Sequence, residues 1–169
     1  MPSFGQRLTA RYDADMLYKD ALAAYMKNNP KGAIEKLNES IRLLPSNAEY
    51  WAARGLMYYE LGADDLAQAD FERALRSFQG EVLAHYGLGL VALRDGRADD
   101  ALKHFDAAYR LDPQRGETLY AMALAHDKAG HALDAVEWME RAYDRFDVTG
   151  DKHKADAQRH LTTLRRKAR

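Results

Sequence analysis

The sequence predicts an all-α fold made of stacked helical hairpins, and three observations predict it. The 169 residues include only 4 Pro and 11 Gly, and Ala, Leu, Glu, Arg and Lys far outnumber Val, Ile and Thr, a composition that favours helix over strand. Gly62, Gly96 and Gly130 recur every 34 residues behind helix-like apolar patterns, with Asn28 in the same phase one period earlier. Gly and Asn are the two residues that most readily take the left-handed conformation ending a helix. Small and large apolar residues keep the same beat, with Ala33, Ala67, Ala101 and Ala135, then Leu37, Phe71, Phe105 and Met139, then Ser40, Ala74, Ala108 and Ala142. At helical spacing this is a packing stripe.

The elements follow in order from that frame. Residues 1–13 carry Pro2, Ser3 and Gly5 before a short polar run, too little to fold alone, and are expected to be an arm, flexible or docked, with Phe4 and Leu8 as docking residues. Residues 14–149 divide into four units of equal length, 14–47, 48–81, 82–115 and 116–149, without insertions. In the first helix of each unit a small residue, Ala21, Gly55, Gly89 or Ala123, permits close approach, and Pro45 and Pro113 stop two of the second helices. Residues 150–169 place Ala157, Leu161, Leu164 and Ala168 on one helical face, as a basic capping helix would that closes the last hairpin.

The pattern resembles the tetratricopeptide repeat family, a 34-residue helix-turn-helix repeat with Trp, Gly, Tyr, Ala, Phe, Ala and Pro at fixed places. The second unit carries it most fully, as Trp51, Gly55, Tyr58, Ala67, Phe71 and Ala74, and the register covers about 136 residues. The resemblance implies a right-handed α-solenoid of four hairpins plus the C-terminal cap. It also implies a concave groove lined by first helices that binds peptides or partner helices. Carrying the family's concave positions onto this sequence gives Tyr18, Leu22, Tyr25, Leu56, Tyr59, Tyr86, Leu90, Tyr120 and Leu124 as the groove wall. An exposed Tyr and Leu surface suits an apolar helix or extended segment. The Leu row, Leu22, Leu56, Leu90 and Leu124, is read equally well as packing between first helices.

A subgroup of the family clamps the C-terminal carboxylate of chaperones with Lys, Asn and Arg. The corresponding places hold Tyr18, Leu22, Ala53, Leu83 and Gly87, so that ligand is not expected here. Asp20 and Arg54 occupy the seventh place of successive first helices, and the expectation is that they pair across the first interface.

Other chemistries find little footing. The chain has no Cys and a net charge of -1, which removes thiol chemistry and disfavours a wholly cationic nucleic-acid binder. Residues 151–169 hold seven Lys and Arg against two Asp, a cluster read first as complementing the cap's helix dipole, because no base-stacking aromatics accompany it. Gly87-Leu88-Gly89 opens a formal dinucleotide fingerprint but lies inside a helix, where small residues serve packing. The six His form no HExxH motif, and a pair such as Asp100 and His104, ligand-like at four residues apart, does not make a site, so no metal or cofactor is expected. His126 replaces a core aromatic, and the acidic pairs Asp64-Asp65 and Asp99-Asp100 fall in first turns of helices, where they favour the dipole. No stretch reaches a membrane span and the start lacks an apolar leader, which points to a cytoplasmic protein. The function expected is a non-catalytic adaptor that binds another protein in its groove. The alternative is a self-assembling module, a homo-oligomer in which the groove receives another copy and Trp138, the cap helix or the arm does the docking.

Overall fold

A computed structural model describes residues 3–169, apart from the side chain of Phe4, and among them every regular element is an α-helix. The chain forms two compact units, residues 1–87 and 88–169.

The first unit contains α1 (Phe4–Met26), α2 (Pro30–Leu43), α3 (Ala48–Glu60), α4 (Asp64–Ser77) and the first turns of α5 (Val82–Arg94). α1 packs on α2, α2 on α3 and α3 on α4. Where the sequence reading placed an arm, α1 already begins at Phe4. Ser3 and Gln6 form a capping box, the Ser3 Oγ accepting from the Gln6 amide at 3.3 Å and the Gln6 Oε1 from the Ser3 amide at 2.7 Å. Two orphan amide donors are thereby satisfied at once, and helix starts ten residues earlier than expected. The expectation that Phe4 docks lies outside the described residues.

At Asn28 the backbone turns left-handed, φ 58°, and the same step is taken by Gly at 62, 96 and 130. Asn29 then caps α2, its side chain accepting from the Gly32 amide at 3.0 Å, with Pro30 preorganised at the first helical position. The core of this unit is Leu37, Tyr50, Met57 and Phe71, all but fully buried, with Ala33, Ala67 and Ala74 filling the close approaches. Each large side chain contributes roughly 2–3 kcal/mol by leaving water. Phe71 is held between two glycines: a methyl group on Gly55 would come within 2.8 Å of its ring, and one on Gly87 would overlap it. The formal fingerprint glycines are thus packing positions. Ser40, the polar member of the small stripe, is satisfied by donating to the Ala14 and Lys36 carbonyls at 3.1 Å each.

The second unit holds the rest of α5, α6 (Ala98–Leu111), α7 (Gly116–Ala129), α8 (Ala132–Thr149) and α9 (Lys154–Lys167). α6 packs on α7, α7 on α8, and α8 on α9. Its core runs through Phe105, Leu119, Met139, Phe146, Leu161 and Leu164, with Gly89 admitting the Phe105 ring. Ala157, Leu161 and Leu164 of α9 are buried against α8 and α7, whereas Ala168 lies just past the end of the helix. The basic residues of α9 are largely engaged: Arg165 donates to Glu140 at 2.7 Å, Lys167 to Asp127 at 2.7 Å, Lys154 to Asp147 and Arg159 to Asp156. Pairing with α7 and α8 therefore absorbs charge that the local sequence left uncompensated. Among the described residues no helix is long and apolar enough to cross a membrane.

Candidate functional site

The first-helix face of the first unit begins with Tyr18, Leu22 and Tyr25 on α1. Their spacing of three and four residues puts them on one side of the helix. Tyr18 and Tyr25 are half-buried, and Leu22 is 37% exposed. Each ring is pinned to the next first helix, the Tyr18 hydroxyl donating to Glu49 at 2.9 Å and the Tyr25 hydroxyl to Glu60 at 2.5 Å, at the two ends of α3. Burial first, and the carboxylate partner second, push the Tyr25 phenol up to about 12 and the Tyr18 phenol higher still. Tyr18 also lies 5.2 Å from the ring of Tyr50, a fully buried residue that the groove assignment passed over and whose hydroxyl bonds to Asp15. Leu56 and Tyr59 of α3 and Tyr86 of α5 are half-buried. The Leu row thus stands between its two readings, resting on the core while keeping an open side.

In the second unit Leu90, Leu124 and Tyr120 are half-buried as well. Tyr120 is covered from within, its ring 5.5 Å from His160 on α9 and 6.3 Å from Phe146 on α8. Trp138, expected as a docking residue for another copy, packs inside its own unit, edge-on to Tyr109 at 5.1 Å and under the Arg141 guanidinium at 4.1 Å. Of the places that would form a carboxylate clamp, Ala53 and Gly87 are buried, and Tyr18 is committed to Glu49.

The expected Asp20–Arg54 pair does not form. Arg54 reaches α4 of its own hairpin, donating to both carboxylate oxygens of Asp70 at 2.7 and 2.8 Å and to Asn38 at 2.7 Å. Its guanidinium lies over the Trp51 ring at 4.9 Å and the Tyr58 ring at 5.6 Å. Burial draws the Arg54 pKa down, but the Asp70 contacts outweigh it and the net shift is upward. Asp20 stays exposed and meets Lys36 at 4.0 Å. Both pairs join a residue of a first helix to the residue sixteen further on, with the charges exchanged between hairpins. That charge swap at fixed spacing was the sequence signal for them. A second group escaped the sequence search because it spans a turn: His126, His131 and Asp134 converge at the α7–α8 junction.

The tetratricopeptide repeat family model matches residues 18–67 and 53–116. Curated relatives include a TPR repeat-containing protein, MJ1428, of Methanocaldococcus jannaschii, 29% identical over 126 residues, which are 75% of this chain and 21% of that protein. The E3 ubiquitin-protein ligase CHIP of Arabidopsis thaliana is 28% identical over 127 residues, 75% of this chain and 44% of its own length. The chain spans less than half the length of either relative. Among solved structures, MamA from Desulfovibrio magneticus RS-1 superposes with a TM-score of 0.65 at 20% identity, covering 92% of this chain and 96% of that one. The Arabidopsis OM64 TPR domain does so with a TM-score of 0.64 at 23% identity, covering 70% and 98%. These likenesses show the fold, an all-α helical-repeat solenoid. Proteins of this repeat type generally mediate protein–protein interactions. With the family model matched over more than half its length and the 34-residue hairpin period running through it, the chain belongs to the tetratricopeptide repeat family.

Proposed function

We propose that the chain is a non-catalytic scaffold that binds an apolar helix or extended segment of a partner protein along its first-helix wall. The observation that carries this reading is the strip of Tyr18, Leu22 and Tyr25, backed by Leu56 and Tyr59, in which the hydroxyls are tied to Glu49 and Glu60, the two rings are half-buried and Leu22 is exposed. Rings already fixed by hydrogen bonds lose little rotamer freedom when a ligand covers them, so apolar burial is retained as affinity. Tyr is also a favoured hot-spot residue. Within the second unit Leu90, Tyr120 and Leu124 are half-buried, the Tyr120 ring lying 5.5 Å from His160. A chaperone carboxylate is not the ligand, because the clamp positions offer no cation.

The test is selection of peptides from a random library on the full chain, followed by affinities for the Leu22→Ala/Leu56→Ala variant. A loss of tenfold or more, about 1.4 kcal/mol, is expected in that variant with its helix content unchanged. Equal affinity for both proteins removes the wall as the site.

A second reading, self-assembly, has its own observation: α1 carries Leu8, Tyr12 and Met16 on one face at four-residue spacing, exposed by 53%, 66% and 40%. Light scattering across a wide concentration range separates the two readings. A mass that rises with concentration, and falls to the monomer in Leu8→Lys/Tyr12→Lys, favours another copy as the occupant. A monomer throughout leaves the wall to a foreign segment.

A further inference from the structure

The turn between α7 and α8 gathers three metal-ligating side chains that the interaction wall does not use. Gly130 takes the left-handed conformation, φ 83°, and the His131 amide then donates to the His126 carbonyl at 2.9 Å. This closure folds the first residue after the turn back over the last turn of α7. The two imidazoles end with Nδ1 facing Nδ1 at 3.3 Å and ring centroids 5.5 Å apart. Asp134, in the first turn of α8, brings Oδ2 to 3.9 Å from the His126 Nδ1, and the three ligand atoms lie within 4.8 Å of one another. Trp138, one turn further along α8, stacks parallel to the His126 ring at 6.5 Å and 8° and so fixes its plane.

We propose that His126, His131 and Asp134 form a binding site for a divalent first-row transition metal, with Zn2+ as the reference ion. The spacing is that of a coordination polyhedron. Tetrahedral Zn2+ with metal–nitrogen bonds of about 2.0–2.1 Å separates its nitrogen ligands by about 3.3–3.4 Å, and the two Nδ1 atoms stand at 3.3 Å. Two imidazoles and one carboxylate are a borderline-soft donor set that prefers Zn2+, Cu2+, Ni2+ or Co2+ over Mg2+ or Ca2+. With three protein ligands the fourth position is left to water or to a donor from another molecule. The corresponding places in the second hairpin are Tyr58, Ala63 and Leu66, and in the third hairpin Ala92, Arg97 and Asp100. The ligand set therefore belongs to the last hairpin and not to the repeat.

The competing account of the same geometry is a bare imidazole–imidazole hydrogen bond. The two are separated by titrating the tag-free full chain with Co2+, read by the strong visible bands of a four-coordinate ion, and with Zn2+ by calorimetry at pH 7.5. One equivalent binding with four-coordinate Co2+ spectra is expected, weakened at least tenfold in His131→Ala and in Asp134→Ala, two exposed positions where circular dichroism should stay unchanged. His85→Ala, in the first unit, should bind as the parent does. Absence of binding, or binding that survives both His131→Ala and Asp134→Ala, overturns the site and leaves the hydrogen bond.

Discussion

Asp70→Ala is the sharpest probe of how the first unit is held together. The Asp70 side chain is 7% exposed and that of Arg54 16%, and the guanidinium meets the carboxylate through two bonds of 2.7 and 2.8 Å. Removing one partner of a buried pair costs about 3–5 kcal/mol, mostly because the other charge is left without compensation. Arg54 keeps part of its environment, since Asn38 still accepts at 2.7 Å and the Trp51 and Tyr58 faces remain. The expected loss for Asp70→Ala is therefore somewhat lower, about 2–4 kcal/mol. Arg54→Met strands the more buried carboxylate and should cost at least as much. The double variant Arg54→Met/Asp70→Ala should cost clearly less than the two singles together, because no charge is left behind. The related pair Asp20–Lys36 is open to solvent at 4.0 Å, and Asp20→Ala should fall within about 0.5 kcal/mol of the parent. Urea unfolding followed by far-UV circular dichroism at neutral pH measures all four. A loss under about 0.5 kcal/mol for Asp70→Ala, no larger than that for Asp20→Ala, would show that burial does not set the worth of these pairs.

Gly89→Ala sets a gain in helix propensity of about 1 kcal/mol against overpacking of about 1–3 kcal/mol where the new methyl group overlaps the Phe105 ring. A net destabilisation is expected in thermal unfolding, with partial recovery when Phe105→Leu is added; a stabilised Gly89→Ala would contradict the close approach. Tyr25 tests the wall itself. Its folded pKa is raised, to about 12, above the unfolded value near 10, so the protonated phenol is favoured by folding. That contribution is fully present below about pH 10 and is lost as pH rises through about 12. Glu60→Gln should lower the Tyr25 transition in a phenolate absorbance titration, and an unchanged curve would mean that the hydroxyl is not held by Glu60.

The features legible in the sequence are those that repeat. The left-handed step at Asn28, Gly62, Gly96 and Gly130 and the stripe of Ala33, Leu37 and Ser40 with its later copies are dictated by backbone geometry and close packing. These act alike in every hairpin, so four weak signals add. What the sequence reading missed was local or crossed the expected partners. The Ser3–Gln6 capping box occurs once, ahead of the first period, and moves the start of α1 to Phe4. Arg54 was matched with its equivalent in the preceding first helix, yet a hairpin's own second helix lies against that face, as the Asp20–Lys36 and Arg54–Asp70 contacts both show. The basic surplus near the C terminus read as a local charge excess, because Glu140 and Asp127, which take up Arg165 and Lys167, lie 25 and 40 residues away. A search for ligands within one helix could not find His126 and His131, which the turn at Gly130 brings together.

Positions that keep the repeat are set apart by burial from the residues proposed for recognition. Phe71, Phe105 and Met139 are wholly enclosed, so they report on the fold and offer nothing to a partner. In the first unit Tyr18 and Tyr25 pack against the core from outside, and Leu22 is 37% exposed. The same fifth position of the repeat has different neighbours in the first and last hairpins. Tyr18 donates to Glu49 and Tyr120 lies against His160 of the capping helix, and both rings are half-buried. A cap must cover the apolar end of the last hairpin, and here it also places His160 beside Tyr120. We therefore assign the proposed docking of an apolar segment to α1 and α3, where Leu22 is exposed and Leu56 and Tyr59 are half-buried.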